Sequence, residues 1–199
     1  MKTLKQAIEN RRSYYFIDNQ SPVSDEQIRE TIELAVRNVP SAFNSQSARV
    51  VVLLGDEHRK LWKIVKNELR KLIGEDAFAK TEEKINSSFA CGYGTVLFFE
   101  EQNIIETLQK SFPLYADNFP VWSEQASGML QFAVWTLLED AGFGASLQHY
   151  NPLIDSEVHR AWNIPAEWKL RAQMPFGSPT AVPSEKEFLP IEERVKVFK

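Results

Sequence analysis

Residues 122–146 read WSEQASGMLQFAVWTLLEDAGFGAS and carry the longest run of helical apolar periodicity in the chain. Over residues 122–141 the apolar side chains cover more than one face, and a helix of this kind is usually buried at the centre of a fold. These side chains are Ala126, Met129, Leu130, Ala133, Val134, Leu137 and Leu138. Gly142 follows where a glycine commonly ends a helix. The stretch therefore predicts a central helix that ends at Gly142.

Strands and shorter helices are predicted on both sides of this helix. Runs rich in β-branched and aromatic residues predict buried strands at 48–54, 92–99 and 168–176. Amphipathic spacing predicts helices at 2–10, 24–40, 58–72 and 155–162. Ser24 and Gln27 have the spacing of a capping box, which places the start of the second helix at Ser24.

Two charged segments are harder to assign. Residues 75–88 are strongly charged and are predicted to separate the helix at 58–72 from the strand at 92–99. In the tail, Val195 and Val197 alternate with Arg194 and Lys196, which predicts a strand with one apolar face.

Composition narrows the class of protein. The 199 residues are 43% hydrophobic and 25% charged, values typical of a globular protein, and we expect one domain over residues 1–199. A net charge of -4 argues against nucleic-acid and anionic-membrane partners, which require clustered cations. The N-terminus lacks the apolar core of a signal peptide, and no apolar run approaches the roughly 18 residues of a membrane span. We therefore expect a cytoplasmic protein.

The sequence Arg11-Arg12-Ser13 follows the first predicted helix and has two interpretations. Cations at the carboxyl end of a helix complement its macrodipole, so the arginines could act as a cap. Guanidinium groups beside a hydroxyl also form a good clamp for a phosphate dianion. The tripeptide alone favours the cap.

Two other segments contain residues that could carry chemistry. The loop SAFNSQ at 41–46 offers amides, which supply both the donors and the acceptors needed to bind the edge of a heterocyclic ring, but it would also serve as a simple connector. The sequence GFGAS at 142–146 lacks the third glycine of a dinucleotide fingerprint and follows a helix where that fingerprint follows a strand. It also lacks the G-x-S-x-G frame of a nucleophile elbow.

Histidines and the one cysteine predict neither a metal site nor a nucleophilic pair. His58, His149 and His159 are widely spaced, and the charged surroundings of His58 and His159 favour exposed side chains. Cys91 has no adjacent base and is expected to be a small buried thiol.

Taken in order, these segments resemble the flavin-dependent nitroreductase family. The matching features are RRS after the first helix, PSAFNSQS before the first strand, the central helix, GFGASLQHYNP after it, and a basic C-terminal tail. The resemblance covers nearly the whole chain. Within the family, the chain is most similar to the short branch that includes the fungal fatty-acid repression mutant protein and bacterial nitroreductase-like quinone reductases. It implies an α+β fold, with a mainly antiparallel sheet flanked by helices, and an intertwined homodimer with two FMN sites at its interface.

The same resemblance implies a set of cofactor-binding residues. The FMN phosphate would be held by Arg11, Arg12 and Ser13, with Lys186 from the tail. Phe188 stands where relatives carry a second basic residue, so Arg194 or Lys196 would take its place, with Arg194 favoured. Tyr15 replaces a basic residue common in relatives. The loop from the partner subunit would reach the flavin through Pro40, Ser41, Ala42, Asn44 and Gln46. Gln148 and His149 correspond to the loop near flavin N5, and Phe43 and Tyr150 would shape the substrate pocket.

The implied function is an FMN-dependent NAD(P)H oxidoreductase. It would reduce nitroaromatic compounds, quinones or similar small electron-poor acceptors by ping-pong two-electron hydride transfer. The flavin performs the chemistry, so the protein needs neither a nucleophile nor a metal. Two alternatives remain open from the sequence: a flavin-binding sensor or regulatory protein, for example in lipid signalling, with incidental turnover, and a structural dimer without a cofactor.

Overall fold

An antiparallel sheet of five strands organises the fold in the computed structural model, which describes residues 2–199 apart from the side chain of Asp76. The strands are β1 (Ile17–Asp18), β2 (Ala48–Leu54), β3 (Gly94–Glu101), β4 (Gly144–Ala145) and β5 (Trp168–Pro179). Their order is β1-β5-β3-β2, with β4 also paired to β5. The three predicted strands are confirmed, and the antiparallel sheet with helices on both faces confirms the α+β fold.

Seven α-helices lie in the part of the chain that the structure describes. They are α1 (Leu4–Asn10), α2 (Asp25–Asn38), α3 (Gly55–Ile73), α4 (Glu75–Ile85), α5 (Gln102–Ser111), α6 (Asn118–Asp140) and α7 (Asp155–Trp162). A π-helical turn, Asn86–Ala90, follows α4. None of these helices within residues 2–199 combines the length and apolar character needed to cross a membrane.

The two faces of the sheet carry separate cores. Along β3, Val96 and Phe98 pack against α2 and α6, whereas Leu97 and Phe99 pack against α3 and α7 on the opposite face. This alternation follows from the two-residue period of a strand. All four side chains are almost fully buried, so β3 is the centre of the molecule.

The central helix is confirmed as α6, although it begins at Asn118 rather than Trp122. Pro120 is accommodated because it lies in the first turn, where no intrahelical partner is needed for its missing N–H. At the other end, the N–H of Gly142 donates to Glu139 and the N–H of Phe143 donates to Leu138, both at 2.9 Å. Gly142 has φ of 94°, so the predicted glycine end is a Schellman motif.

One charged segment forms a helix that was not predicted, and the prediction for the other is wrong. Residues 75–88 do separate α3 from β3, and most of them form α4, which packs through Phe78 and Ile85 despite its many charges. The predicted tail strand is absent from the described chain, where only a 3-10 turn at Ile191–Glu193 interrupts irregular backbone. Val195 and Val197 are exposed and have no neighbouring strand to pair with.

Candidate functional site

A large cavity, of about 730 Å³, lies between the segment after α1, the middle of α6 and the segment after β5. Its polar lining consists largely of groups that donate hydrogen bonds, and aromatic rings cover much of the rest. The lining residues that bear on function are Arg11, Arg12, Ser13, Tyr15, Gln131, Phe132, Trp135, Leu147 and Lys186. The structure thus brings together five residues that the sequence resemblance implicated, from opposite ends of the chain.

A short bridge to β4 fixes the arginine segment in place. Ser13 pairs with Ala145 in parallel fashion, and the N–H of Tyr14 donates to the Ala145 carbonyl at 2.9 Å. Gly144 lets the two segments approach, because a Cβ there would lie 2.9 Å from the Tyr14 Cβ. The position of Arg11 and Arg12 therefore depends on the sheet and on the glycine of the GFGAS sequence.

Arg11 is a half-buried cation that lies over the ring of Trp135 and near that of Phe132. Its guanidinium carbon lies 4.3 Å from the centroid of the Trp135 ring and 6.0 Å from that of Phe132. Burial, and then the charge of Arg12, lower the pKa of Arg11. Its Nε is buried and has no hydrogen-bond partner in the described part of the chain. Arg11 therefore offers donors and positive charge to an anion.

Arg12 and Lys186 complete the cationic end of the cavity. Arg12 donates from Nη2 to the carbonyl of Ser184 at 2.6 Å, which ties the tail to the first segment. Lys186 Nζ lies 5.1 Å from the Phe188 ring centroid. All three cations also line a smaller adjoining cavity, where Glu9 and Glu185 contribute the opposite charge. Guanidinium, ammonium and hydroxyl groups at one end are a donor set suited to a phosphate dianion.

The predicted amide loop lies elsewhere on the protomer. Pro40, Ser41, Asn44 and Gln46 line a separate cavity of about 160 Å³ between α2 and the start of β2. Asn44 and Gln46 have positive φ angles of 50° and 48°, and the N–H of Gln46 donates to Ser41 Oγ at 2.9 Å. The loop is therefore a folded turn, and its backbone conformation fixes where the side chains of Asn44 and Gln46 begin.

Phe43, in the same loop, joins an aromatic cluster on the surface. Its ring lies 4.9 Å from that of Phe112, 5.3 Å from that of Phe119 and 6.1 Å from that of Trp122, on which it stacks. Ala42 and Phe43 line an open cavity there. Phe43 has φ of 56° and stays half exposed, so the cluster presents an accessible aromatic surface.

Glu100, a buried residue of β3, is hydrogen-bonded to Ser47 at the C-terminal end of the amide loop. Its carboxylate accepts a hydrogen bond from Ser47 Oγ at 2.6 Å, and the residue is fully buried. Burial raises the pKa of Glu100 to about 7, although Ser47 and the positive charges of Arg171 and Arg49 lower it. The end of the amide loop is therefore hydrogen-bonded to a carboxyl group, that of Glu100, whose pKa lies near neutral pH.

Besides the amide loop, three further predicted cofactor residues do not line the phosphate-suited cavity. Gln148 instead pairs its backbone with Gln173, and His149 is exposed beside it. Arg194 is exposed in the tail, where its N–H donates to Ile191. Tyr150 packs into the core near Trp62, and burial raises its pKa to about 12.

The prediction that His58 is exposed is wrong. His58 is buried, with Nδ1 2.8 Å from Thr95 Oγ1 and Nε2 3.3 Å from the Ala90 carbonyl, and burial lowers its pKa to about 4. His159 is half-buried against Phe99, not fully exposed. Cys91 is half-buried, and burial raises the pKa of its thiol. For His58 on α3 and His159 on α7, the charged residues beside each histidine gave no indication of which face of its helix packs inward.

Helix α6 contributes to the site in a way that the sequence patterns did not indicate. Gly128, Gln131, Phe132 and Trp135 face the cavity at helical spacing, but an apolar helix was interpreted only as core. Leu147 was also missed beside Gln148. The sequence did offer a signal of this role: the apolar surface of the helix is wider than one core can cover.

Comparisons with known proteins agree on one family. The Nitroreductase family model matches residues 8–178. Nitroreductase FRM2 of Saccharomyces cerevisiae is 35% identical over 185 residues, which span 92% of this chain and 91% of that protein. Nitroreductase CinD from Lactococcus lactis, solved in complex with chloramphenicol and with 4-nitrophenol, is 46% identical and covers 99% of this chain, with all of its own chain matched and a TM-score of 0.90 for the first complex.

A more distant structure has the same fold. A putative nitroreductase from Desulfovibrio desulfuricans, solved in complex with FMN, is 20% identical, with a TM-score of 0.71 over 100% of this chain and 99% of its own. The family match covers far more than half of the residues. The chain belongs to the nitroreductase family.

Proposed function

We propose that this protein is an FMN-dependent NAD(P)H oxidoreductase that reduces nitroaromatic compounds, quinones or similar electron-poor acceptors in alternating two-electron half-reactions. The observation that carries the proposal is the cationic end of the large cavity. Arg11, Arg12, Ser13 and Lys186 meet there, and the buried Nε of Arg11 has no partner within the described residues. This donor set fits the phosphate of FMN.

The relatives support the substrate class. CinD was solved with 4-nitrophenol, a nitroaromatic compound, and with chloramphenicol. The Desulfovibrio desulfuricans protein was solved with FMN. A chain that is nearly half identical to CinD along its whole length is a good candidate for the same class of acceptor.

The protein's own residues bind, orient and shield the cofactor. Bound flavin supplies the hydride chemistry. Arg11, Arg12 and Lys186 would hold its phosphate, while Asn44 and Gln46 would offer amide donors and acceptors to the ring or ribityl chain. Gln148 and His149 remain our candidates for the segment near the reactive nitrogen. Phe43 and its aromatic neighbours would stack on flat substrates.

We further propose that the active form is a homodimer. Within one protomer the phosphate-suited cavity and the amide loop are separate, so a loop from a second copy would complete the site. The chain exposes 11929 Å², whereas a compact monomer of 22.9 kDa exposes about 9,600 Å² by the usual relation of surface to mass. Exposed apolar residues on α6 and along the tail account for part of this excess. They include Val121, Met129, Phe132, Val182, Phe188, Leu189, Ile191, Val195, Val197 and Phe198.

Visible absorption spectroscopy tests the proposal. The purified protein, supplied with FMN, should show a bound-flavin spectrum that bleaches on addition of NADH or NADPH and recovers on addition of 4-nitrophenol or a quinone. A protein that fails to bind FMN would refute the function. A protein that binds FMN but turns over negligibly would instead be a flavin-binding sensor.

A further inference from the structure

We propose that Trp135 is a positioning residue for the phosphate end of the site: its indole ring holds the Arg11 guanidinium so that the edge of the guanidinium is free to bind phosphate. This inference rests on the proposed binding of FMN. It concerns a residue of the central helix to which the sequence patterns assigned only a packing role.

The geometry around Arg11 carries the inference. The guanidinium carbon lies 4.3 Å from the Trp135 ring centroid, and Phe132, one turn earlier on α6, lies 6.0 Å away. Trp135 and Arg11 are both half-buried at the wall of the same cavity. Among the described residues, Arg11 forms no ion pair with a carboxylate, although Glu9 and Glu185 line the adjoining cavity. Aromatic rings therefore take the place of an acidic partner.

Stacking has a consequence that an ion pair would not have. A guanidinium is planar, and all five of its N–H donors lie at its edge. A carboxylate partner would occupy those donors and cancel the charge, whereas an aromatic face attracts the cation and leaves the edge available. Trp135 lies in the second half of the 23-residue helix α6, so its ring is held by a long rigid element. Arg11 is thereby restrained before any ligand arrives, which lowers the entropic cost of binding.

The test compares FMN with riboflavin, which has the same ring and ribityl chain but no phosphate. Apo-protein would be titrated with each flavin, and the dissociation constants measured by flavin fluorescence. We expect Trp135→Leu to weaken FMN binding about tenfold, in line with the strength of partly desolvated cation–π contacts, while riboflavin binding changes less than twofold. Trp135→Phe should restore most of the FMN affinity, because it keeps an aromatic face.

Trp162→Leu is the matched control. Trp162 also stacks with a cation, Lys60, at 4.8 Å, but on α7 and away from the cavity. Its loss should leave both dissociation constants unchanged. Riboflavin binding also reports whether each variant is folded, and Trp135→Met replaces Trp135→Leu if the leucine variant fails to fold.

Two outcomes would overturn the inference while leaving the proposed function intact. Unchanged FMN affinity in Trp135→Leu would show that the stacking does not matter, and equal weakening of FMN and riboflavin would show that Trp135 contacts the flavin or only supports the fold. A wild-type protein that binds neither flavin would instead refute the proposed function, and this inference with it.

Discussion

Arg11 and Arg12 are adjacent, but their surroundings give them different tasks. Arg12 is bonded to the tail at Ser184, whereas Arg11 is stacked and keeps a free donor. We expect Arg11→Ala/Arg12→Ala to weaken FMN binding about a hundredfold or more, because each of the two lost charge-assisted hydrogen bonds costs about 1.5–3 kcal/mol. Fluorescence titration measures this change.

The control is Arg29→Ala, which removes an exposed ion-paired arginine on α2 and should bind FMN like wild type. Equal affinity in the double variant would refute the phosphate clamp.

Buried His58 should make stability depend on acidic pH. Burial lowers the pKa of His58 to about 4 from its ordinary 6.5, so the unfolded chain binds the proton first as the pH falls. Stability should therefore decrease between about pH 6.5 and pH 4, and wild type should lose about 1–3 kcal/mol more than His58→Gln over this window. Urea unfolding at several pH values measures the difference. The exposed His149, changed to Gln, should follow wild type. Parallel pH profiles for wild type and His58→Gln would exclude a neutral buried imidazole.

Glu100 should have the opposite effect. Its folded-state pKa of about 7 lies above the ordinary 4.5, so its contribution to stability is full below about pH 4.5 and is lost as the pH rises through 7. Relative to Glu100→Gln, wild type should lose about 1–3 kcal/mol between pH 5 and pH 8. Chemical unfolding at both pH values provides the measurement. Glu106→Gln, an exposed change on α5, should show no such difference. A constant offset between wild type and Glu100→Gln would show that Glu100 titrates normally.

Elements defined by local chemistry were predictable, and those defined by packing were not. The capping box of Ser24 and Gln27 and the glycine end of α6 involve neighbouring residues, so the sequence alone indicates them. Helix α4 was missed because its few buried positions lie among many charges, and α5 was not predicted at all. The prediction of a strand in the tail was wrong, because alternating apolar and charged residues do not show whether a neighbouring strand is available for pairing.

The junction of β4 with the arginine segment depends on a glycine. In Gly144→Ala the added Cβ would meet the Tyr14 Cβ and Cγ at 2.9 Å and the Ile17 Cγ2 at 3.1 Å. We expect this variant to lose about 1–3 kcal/mol of unfolding free energy, as overpacked sites do. Gly128→Ala is the control, because its Cβ meets nothing within 4 Å, and alanine in a helix interior gains up to about 1 kcal/mol. Urea midpoints without flavin compare the two. A Gly144→Ala protein as stable as wild type would mean that the segments separate at no cost.

The site as a whole shows how far its residues can be predicted from the order of residues along the chain. Arg12 and Ser184 are 172 residues apart and form a direct hydrogen bond, so residue patterns along the chain do not reveal that its two ends share one cavity. The resemblance to a known family supplied that pairing for Lys186, whereas residue patterns alone supported only a helix cap at Arg11. Trp135 could not be found in either way, since a tryptophan on an apolar helix is normally a core residue.

Truncation after Thr180 tests the proposed homodimer. The segment beyond it is exposed, with Phe198 at 90%, and β5 is complete by Pro179. We expect the shortened chain to keep its far-ultraviolet circular dichroism but to sediment mainly as a monomer, whereas the full chain should sediment at twice 22.9 kDa.

FMN binding should weaken as well, because truncation also removes Lys186. The full-length variant Lys186→Ala separates the two effects, since it should lose FMN affinity and remain dimeric. A truncated protein that is still a stable dimer would contradict a role for the tail in association, and the exposed apolar residues of α6 would then be the surface to test next.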